Sequence, residues 1–147
     1  MASETSLSSR WEFQKRLYGA VIGQIGKRMV DLERLRDNLK YIRRGRGLTF
    51  AKLAECQYLM EALGDLPLNV AYERLAGMVR MLGEDVQAMA LRNAYAIDML
   101  APDTLTRRRE RIAGIHGLSI DTIELYERNM IDELALRLVH GELPVSS

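Results

Sequence analysis

The sequence has little of what holds a small secreted domain together. Its 147 residues include one cysteine and three prolines, so an internal disulfide is excluded, and a lone thiol fits a reducing compartment. The first ten residues lack the apolar run of a secretory signal, and no segment approaches the roughly 20 apolar residues of a membrane-spanning helix. We therefore expect a cytoplasmic protein without a membrane segment.

Residues that could carry out catalysis or bind a metal are also scarce. The two histidines, His116 and His140, are far apart in sequence, and no spacing of His, Cys and Asp matches a metal site. Cys56 lies in a predicted apolar helix, which favours a buried thiol. No glycine-rich loop follows a predicted strand, so no nucleotide-binding loop is indicated. We expect no enzyme activity, no metal site and no cofactor.

The net charge is close to zero, but the charges are unevenly distributed. The chain has 21 Lys and Arg against 20 Asp and Glu, a formal net charge of +1. Eleven basic and five acidic residues give residues 1–50 a charge of +6. Residues 51–104 carry −4 and residues 105–147 carry −1. This segregation is typical of a chain with one side facing a polyanion, although ordinary solvated helix faces would give similar counts.

Apolar residues at heptad spacing predict a long amphipathic helix over residues 9–42. Polar residues interrupt the second row of the heptad, so the pattern is related to a coiled coil without being a strict zipper. We expect the regular row to form the interface of a homodimer. Its members are Trp11, Tyr18, Ile25, Leu32 and Leu39.

Turn residues divide the rest of the chain into shorter helices. The segment RRGRG at residues 43–47 is predicted to end the first helix and to form a basic linker. Beyond it, apolar residues recur at helical spacing, and no run of four or more alternates convincingly at the strand period. The predicted helices span residues 49–63, 69–82, 84–97, 106–116 and 119–139. The predicted fold is therefore all-α, with an N-terminal extension and helix over residues 1–42 and a helical bundle over residues 48–147.

The last two predicted helices have the anatomy of a helix-turn-helix, which we place at residues 106–139. Ala113 is the small residue where the helices would cross, Gly117 provides a left-handed turn, and Ser119 is the N-cap of the second helix. Two ordinary helices joined at a glycine would give part of this pattern as well. The packing positions are Ile112, His116, Leu118, Ile123 and Tyr126.

The stretch LTRRRERIAGIHGLSIDTI followed by YERNMIDELALRL resembles the C-terminal DNA-binding region of bacterial sigma factors and related regulators. In that region the second helix enters the major groove. Together with YIRRGRGLTFAKLAE upstream, the ending also resembles a group of helical proteins of actinobacteria and their phages, generally taken as regulators. The resemblance implies transcriptional regulation, with residues 119–128 as the recognition helix.

The predicted recognition helix departs from this pattern, because Asp121, Glu124 and Glu127 would face DNA and repel its phosphates. We therefore assign most DNA contacts to arginines in the linker and in the preceding helix, where they would position the protein on the phosphate backbone. The candidate DNA-binding residues are Arg43, Arg44, Arg46, Arg107, Arg108, Arg109, Arg111, Thr122 and Arg128.

Two functions remain open on the sequence. The first is a dimeric regulator of transcription that binds double-stranded DNA through the C-terminal helix pair and its basic flanks. The second is a protein interaction module without DNA binding, in which the acidic C-terminal helix docks on a basic partner related to transcription or to a phage. A purely structural oligomer built on the heptad row is a third, weaker reading.

Overall fold

The computed structural model describes residues 31–140. All regular secondary structure in this range is α-helical, which confirms the predicted all-α class. The predicted helix before residue 31 lies outside the described residues, and so do Trp11, Tyr18 and Ile25. Within residues 31–140, no helix is both long enough and apolar enough to cross a membrane.

Seven helices follow one another along the described residues. The first, α1, covers residues 31–42. Helix α5 lies at the centre of the compact unit and contacts α4, α6 and α7. The remaining helices are α2 (Phe50–Glu55), α3 (Gln57–Ala62), α4 (Leu68–Arg80), α5 (Val86–Ala94), α6 (Leu105–His116) and α7 (Ile120–Val139).

Polar side chains cap the starts of four of these helices. Thr49, Asp85, Thr104 and Ser119 each accept a hydrogen bond from the backbone N–H three residues later. Each bond satisfies a donor that the first turn of a helix leaves free. The sequence predicts helix starts at Thr49, at Glu84-Asp85 and at Ser119, and the structure places the caps at Thr49, Asp85 and Ser119. The start predicted at Asn69 is wrong, because α4 begins at Leu68 after Pro67.

The predicted helix over residues 49–63 is wrong in one respect, because Cys56 interrupts it. Cys56 has φ −91° and ψ 77°, and it ends α2 and begins α3. The break allows the Asn38 Oδ1 of α1 to accept the N–H of Leu59 at 3.1 Å. Cys56 is 2% exposed, and burial raises the pKa of its thiol to about 11. The thiol is therefore protonated and unreactive at neutral pH.

Helix α5 ends at Ala94, before the predicted residue 97, because the next residues turn back towards α1. Tyr95 is fully buried, and its hydroxyl donates to the Leu39 carbonyl at 2.8 Å. Its own carbonyl accepts the N–H of Leu48 at 2.9 Å. Tyr95 therefore ties the end of α5 both to α1 and to the segment between α1 and α2.

The larger of two apolar clusters joins α1 to α2, α3, α4, α5 and α7. Leu39 is fully buried in this cluster, and Leu32 packs against it with part of its surface exposed. Leu39 consequently has no surface left to offer to a second copy of the chain. Leu32 and Leu39 are the two described residues of the predicted heptad row, and both therefore contribute to the core of a single chain.

The smaller cluster joins α5, α6 and α7. It contains most of the residues predicted to pack the last two helices together. Ala90 adds a contact from a third helix, α5. His116, also predicted as a packing residue, is exposed, and that part of the prediction is wrong. The turn glycine, Gly117, has φ 64° and ψ 34°, the left-handed conformation expected of it. The members of the cluster are Ala90, Ile112, Ala113 and Ile123, with Met89, Leu118 and Tyr126 against them.

Gly114 in α6 is a position where a larger residue should stabilise the fold. A Cβ atom there would meet no neighbouring atom within 4 Å. Alanine loses less backbone entropy than glycine in a helix, so Gly114→Ala should raise the free energy of unfolding by about 0.5–1 kcal/mol. Urea unfolding followed by circular dichroism measures this change.

The matched control is Gly117→Ala, three residues further on. This site is equally open, but its φ of 64° disfavours any residue with a Cβ, so we expect a loss of about 1 kcal/mol. A loss of stability in Gly114→Ala would contradict a regular α6 through this position.

Candidate functional site

Arg108 on α6 has a guanidinium group with no exposed surface. Its five N–H groups are directed at five backbone carbonyls, so the donor capacity of the side chain is fully used inside the protein. The acceptors are the carbonyls of Asn93 (3.0 Å from Nε), Gly45 (2.7 Å from Nη1), Asp103 (also Nη1), Ala94 (2.8 Å from Nη2) and Arg43 (3.2 Å from Nη2).

These bonds fix the basic segment, residues 43–47, against α5 and α6. The carbonyls of Asn93 and Ala94 lie at the end of α5, where a cation is favoured by the helix dipole. Asn93 Nδ2 returns a hydrogen bond to the Arg108 carbonyl at 3.0 Å. Burial lowers the pKa of Arg108, yet arginine keeps its charge in proteins. Arg108 thus holds three segments of the chain together, namely residues 43–47, the end of α5 and α6.

Glu127 on α7 is the second fully buried charge. Arg109 binds its carboxylate through two parallel bonds, from Nε at 2.9 Å and from Nη2 at 2.7 Å. Arg43 Nη1 donates to the same carboxylate at 2.8 Å. Arg109 Nη1 also donates to Glu124 at 3.0 Å. We call Arg43, Arg109, Glu124 and Glu127 the Glu127 network; it links the basic segment to both α6 and α7.

The burial of Arg108 and Glu127 changes the interpretation of the predicted DNA-binding residues. Arg108 is enclosed, and the side chains of Arg43 and Arg109 retain only 15% and 14% of their exposure. All three are engaged inside the protein, so none of them is free for a phosphate in this conformation. Thr122 is half-buried, and its hydroxyl is hydrogen-bonded to the Ser119 hydroxyl at 2.9 Å.

Five of the predicted residues do face solvent, and we call them the exposed arginine set. Arg107 and Arg111 lie one turn apart on α6, and their side chains are 69% and 63% exposed. The Asp103 carboxylate is 3.6 Å from Arg107 and 4.0 Å from Arg111, so it compensates part of their charge. The members of the set are Arg44, Arg46, Arg107, Arg111 and Arg128.

Removing the Glu127 carboxylate should destabilise the fold, because Arg43 and Arg109 would lose their buried partner. Breaking a buried ion pair costs about 3–5 kcal/mol. Because Arg43 and Arg109 can turn partly towards solvent, we expect Glu127→Ala to lower the free energy of unfolding by about 2–3 kcal/mol. Urea unfolding of the intact chain measures this loss.

Glu124→Ala is the matched control, because it removes a 35% exposed partner of the same Arg109. Exposed pairs contribute little, so it should cost less than about 1 kcal/mol. Equal losses in the two variants would show that Glu127 does not hold the network together.

Comparison with known proteins finds no matching family model, no matching curated protein and no matching solved structure. Within residues 31–140, no group of three or more His, Cys, Asp or Glu side chains could hold a metal ion.

Proposed function

We propose that the protein is a DNA-binding transcriptional regulator that contacts duplex phosphates through the exposed arginine set. The placement of the basic segment carries this proposal. Arg108 Nη1 binds the carbonyls of both Gly45 and Asp103, and the Asp103 carboxylate lies 3.6 Å from Arg107. Arg44 and Arg46, on either side of Gly45, are therefore held near the start of α6 and its exposed arginines.

The Glu127 network supports the same proposal by removing negative charge from the surface of α7. Glu127 is buried, and Glu124 is bonded to Arg109. Of the three carboxylates that would oppose DNA, only Asp121 is exposed and outside this network. Phosphate attraction supplies most of the sequence-independent affinity for DNA, so internal pairing of these carboxylates favours binding.

The first turns of α7 would then enter the major groove. Asp121, Leu125 and Arg128 are exposed at positions i, i+4 and i+7, which lie along one face of a helix. An arginine can bind guanine through two hydrogen bonds, and an apolar side chain can contact the methyl group of thymine. We assign base contacts to Leu125 and Arg128 and phosphate contacts to the other members of the exposed arginine set.

The proposed regulator acts as a cytoplasmic homodimer. With Leu39 in the core, the dimer interface rests on Trp11, Tyr18 and Ile25, which lie outside the described residues, and on the exposed part of Leu32. We favour DNA binding over the alternative, docking of an acidic α7 on a basic protein, because Glu124 and Glu127 already bind arginines of this chain.

Charge reversal in the basic segment tests the proposal. Fluorescence anisotropy with a random-sequence duplex at low salt should show binding by the natural chain. Arg44→Glu combined with Arg46→Glu removes two phosphate contacts and adds two repulsive charges, so affinity should fall by about 30- to 100-fold. Circular dichroism would verify that the double variant is folded.

The control carries the same change in charge at another place. Arg34 on α1 and Arg137 on α7 lie outside the exposed arginine set, and Arg34→Glu with Arg137→Glu should change affinity by less than about threefold. Equal losses in the two double variants, or no binding by the natural chain at low salt, would refute the proposal.

A further inference from the structure

An open groove with a volume of about 340 Å³ lies between α5 and α6. Ile97 and Ile112 form a buried apolar floor, and Ile115 borders the groove from the exposed side of α6 with 73% of its surface in solvent. Arg92, Arg111 and His116 stand at its edge. Among the described residues, no carboxylate lines the groove.

The segment between α5 and α6 adds two exposed apolar side chains next to the groove. Met99 is 37% exposed and borders the groove together with two adjoining hollows. Leu100, which lines both hollows, is fully exposed. The hollows are more polar than the groove, and they contain the carboxylates of Glu73, Asp98 and Asp103. Large apolar side chains gathered at one place on a surface are typical of an interaction site.

The backbone of this segment is held in a costly conformation. Ala96 and Asp98 have φ values of 54° and 63°, in the left-handed region that residues with a Cβ avoid. Such conformations persist where the surrounding structure enforces them, and they cluster at functional sites.

The cations at the edge of the groove are only loosely paired. Arg92 lies 3.7 Å from Glu84, and Arg111 lies 4.0 Å from Asp103. Both distances exceed those of a good hydrogen bond, so both guanidinium groups keep donors for another carboxylate. An apolar floor between partly paired cations is complementary to a surface that carries apolar side chains flanked by carboxylates.

We propose that this groove binds an acidic amphipathic helix of a partner protein. The apolar side chains of the partner helix would pack on Ile97, Met99 and Ile115. The carboxylates of the partner helix would pair with Arg92 and Arg111. Amphipathic helices bind in open apolar grooves of this kind, whereas a small molecule needs a more enclosed pocket. This interaction goes beyond the proposed DNA binding and does not depend on it, but Arg111 belongs to both surfaces.

A synthetic peptide provides a defined probe. The peptide is helical and fluorescein-labelled, with leucines at i, i+4 and i+7 and glutamates on both sides of them; a second peptide has lysine in place of each glutamate. The full chain should bind the glutamate peptide with a Kd below about 100 μM. It should bind the lysine peptide at least about tenfold more weakly.

Substitutions in the groove identify the binding surface. Ile115→Asp places a carboxylate on the apolar surface and should weaken binding of the glutamate peptide at least about tenfold. Arg92→Gln should weaken it about threefold and reduce its dependence on salt. Val70→Asp is the matched control, since Val70 is 42% exposed on α4, and it should change affinity less than about twofold. Ile115 is well exposed, so its substitution leaves the fold intact.

Four outcomes would overturn this inference. They are no binding of the glutamate peptide at about 1 mM, equal binding of the two peptides, equal effects of Ile115→Asp and Val70→Asp, and a dimer that Ile115→Asp dissociates in sedimentation experiments. The last would show that a second copy of the chain occupies the groove. DNA binding is tested separately through Arg44 and Arg46, which do not line the groove.

Discussion

Replacing Arg108 by methionine should lower the free energy of unfolding by about 5 kcal/mol. Methionine keeps much of the apolar volume of the side chain but removes all five donors. Each of the five carbonyls that Arg108 binds would lose a charged partner, and only that of Asn93 keeps a backbone hydrogen bond within residues 31–140, from the N–H of Ala96. A buried acceptor without a partner costs about 1 kcal/mol or more. The loss would also release residues 43–47 from α5 and α6, because the carbonyls of Arg43 and Gly45 are among the acceptors.

The neighbouring residue supplies the control for Arg108. Arg107 has the same chemistry, but its side chain is 69% exposed, so Arg107→Met should change stability by less than about 0.5 kcal/mol. Arg108→Lys keeps the charge with at most three donors and should lose about half as much as Arg108→Met. Urea unfolding measures all three, and Arg108→Lys provides a value if Arg108→Met does not fold. Similar stabilities for Arg108→Met and Arg107→Met would contradict the role given to Arg108.

Gly47→Ala should cost about 3–4 kcal/mol, the second largest effect. Gly47 has φ +85°, where a Cβ is disfavoured by about 1–2 kcal/mol. The new atom would also lie 2.6 Å from the carbonyl carbon of Tyr95 and 2.8 Å from the Cβ of Ala96. Tyr95 cannot move away easily, since its carbonyl and its hydroxyl are both hydrogen-bonded.

The control for Gly47 isolates the steric part of this cost. Gly117→Ala has a similar backbone penalty, with no atom within 4 Å of the new Cβ, and should cost about 1 kcal/mol. The difference between the two variants in urea unfolding is the contribution of the contact with Tyr95. Equal losses would mean that the segment after α1 can shift, and that it is not fixed against the end of α5.

The helical fold could be predicted well from local patterns. Thr49, Asp85 and Ser119 satisfy the first turns of their own helices, so the start of each helix depends on a few neighbouring residues. The break at Cys56 could not be predicted in this way. There the cap comes from Asn38 on another helix, which is a tertiary contact.

The basic cluster shows most clearly what the sequence could not separate. Arg107, Arg108 and Arg109 are adjacent in the chain, but successive residues of a helix point about 100° apart. Arg107 faces solvent, Arg108 faces the core, and Arg109 faces α7. A count of charges treats the three alike, although their contributions to stability and to binding are different.

A signal for the buried charges was present in the helical spacing. Arg108 lies four residues before the buried Ile112 on α6, and Glu127 lies midway between the buried Ile123 and Ile131 on α7. Residues four apart share one face of a helix, so both charges fall on apolar faces. Buried charges need partners, so this spacing predicts that both side chains are hydrogen-bonded inside the protein, without identifying their partners.

The salt dependence of DNA binding tests the proposed function most directly. Four phosphate contacts, from the members of the exposed arginine set other than Arg128, predict a slope of log Kobs against log salt of about −3 to −4 per bound monomer. Arg46→Gln should reduce the magnitude of this slope by about one, and Arg34→Gln should leave it unchanged. A slope that Arg46→Gln does not alter, or no binding at about 50 mM salt, would contradict DNA binding through these arginines.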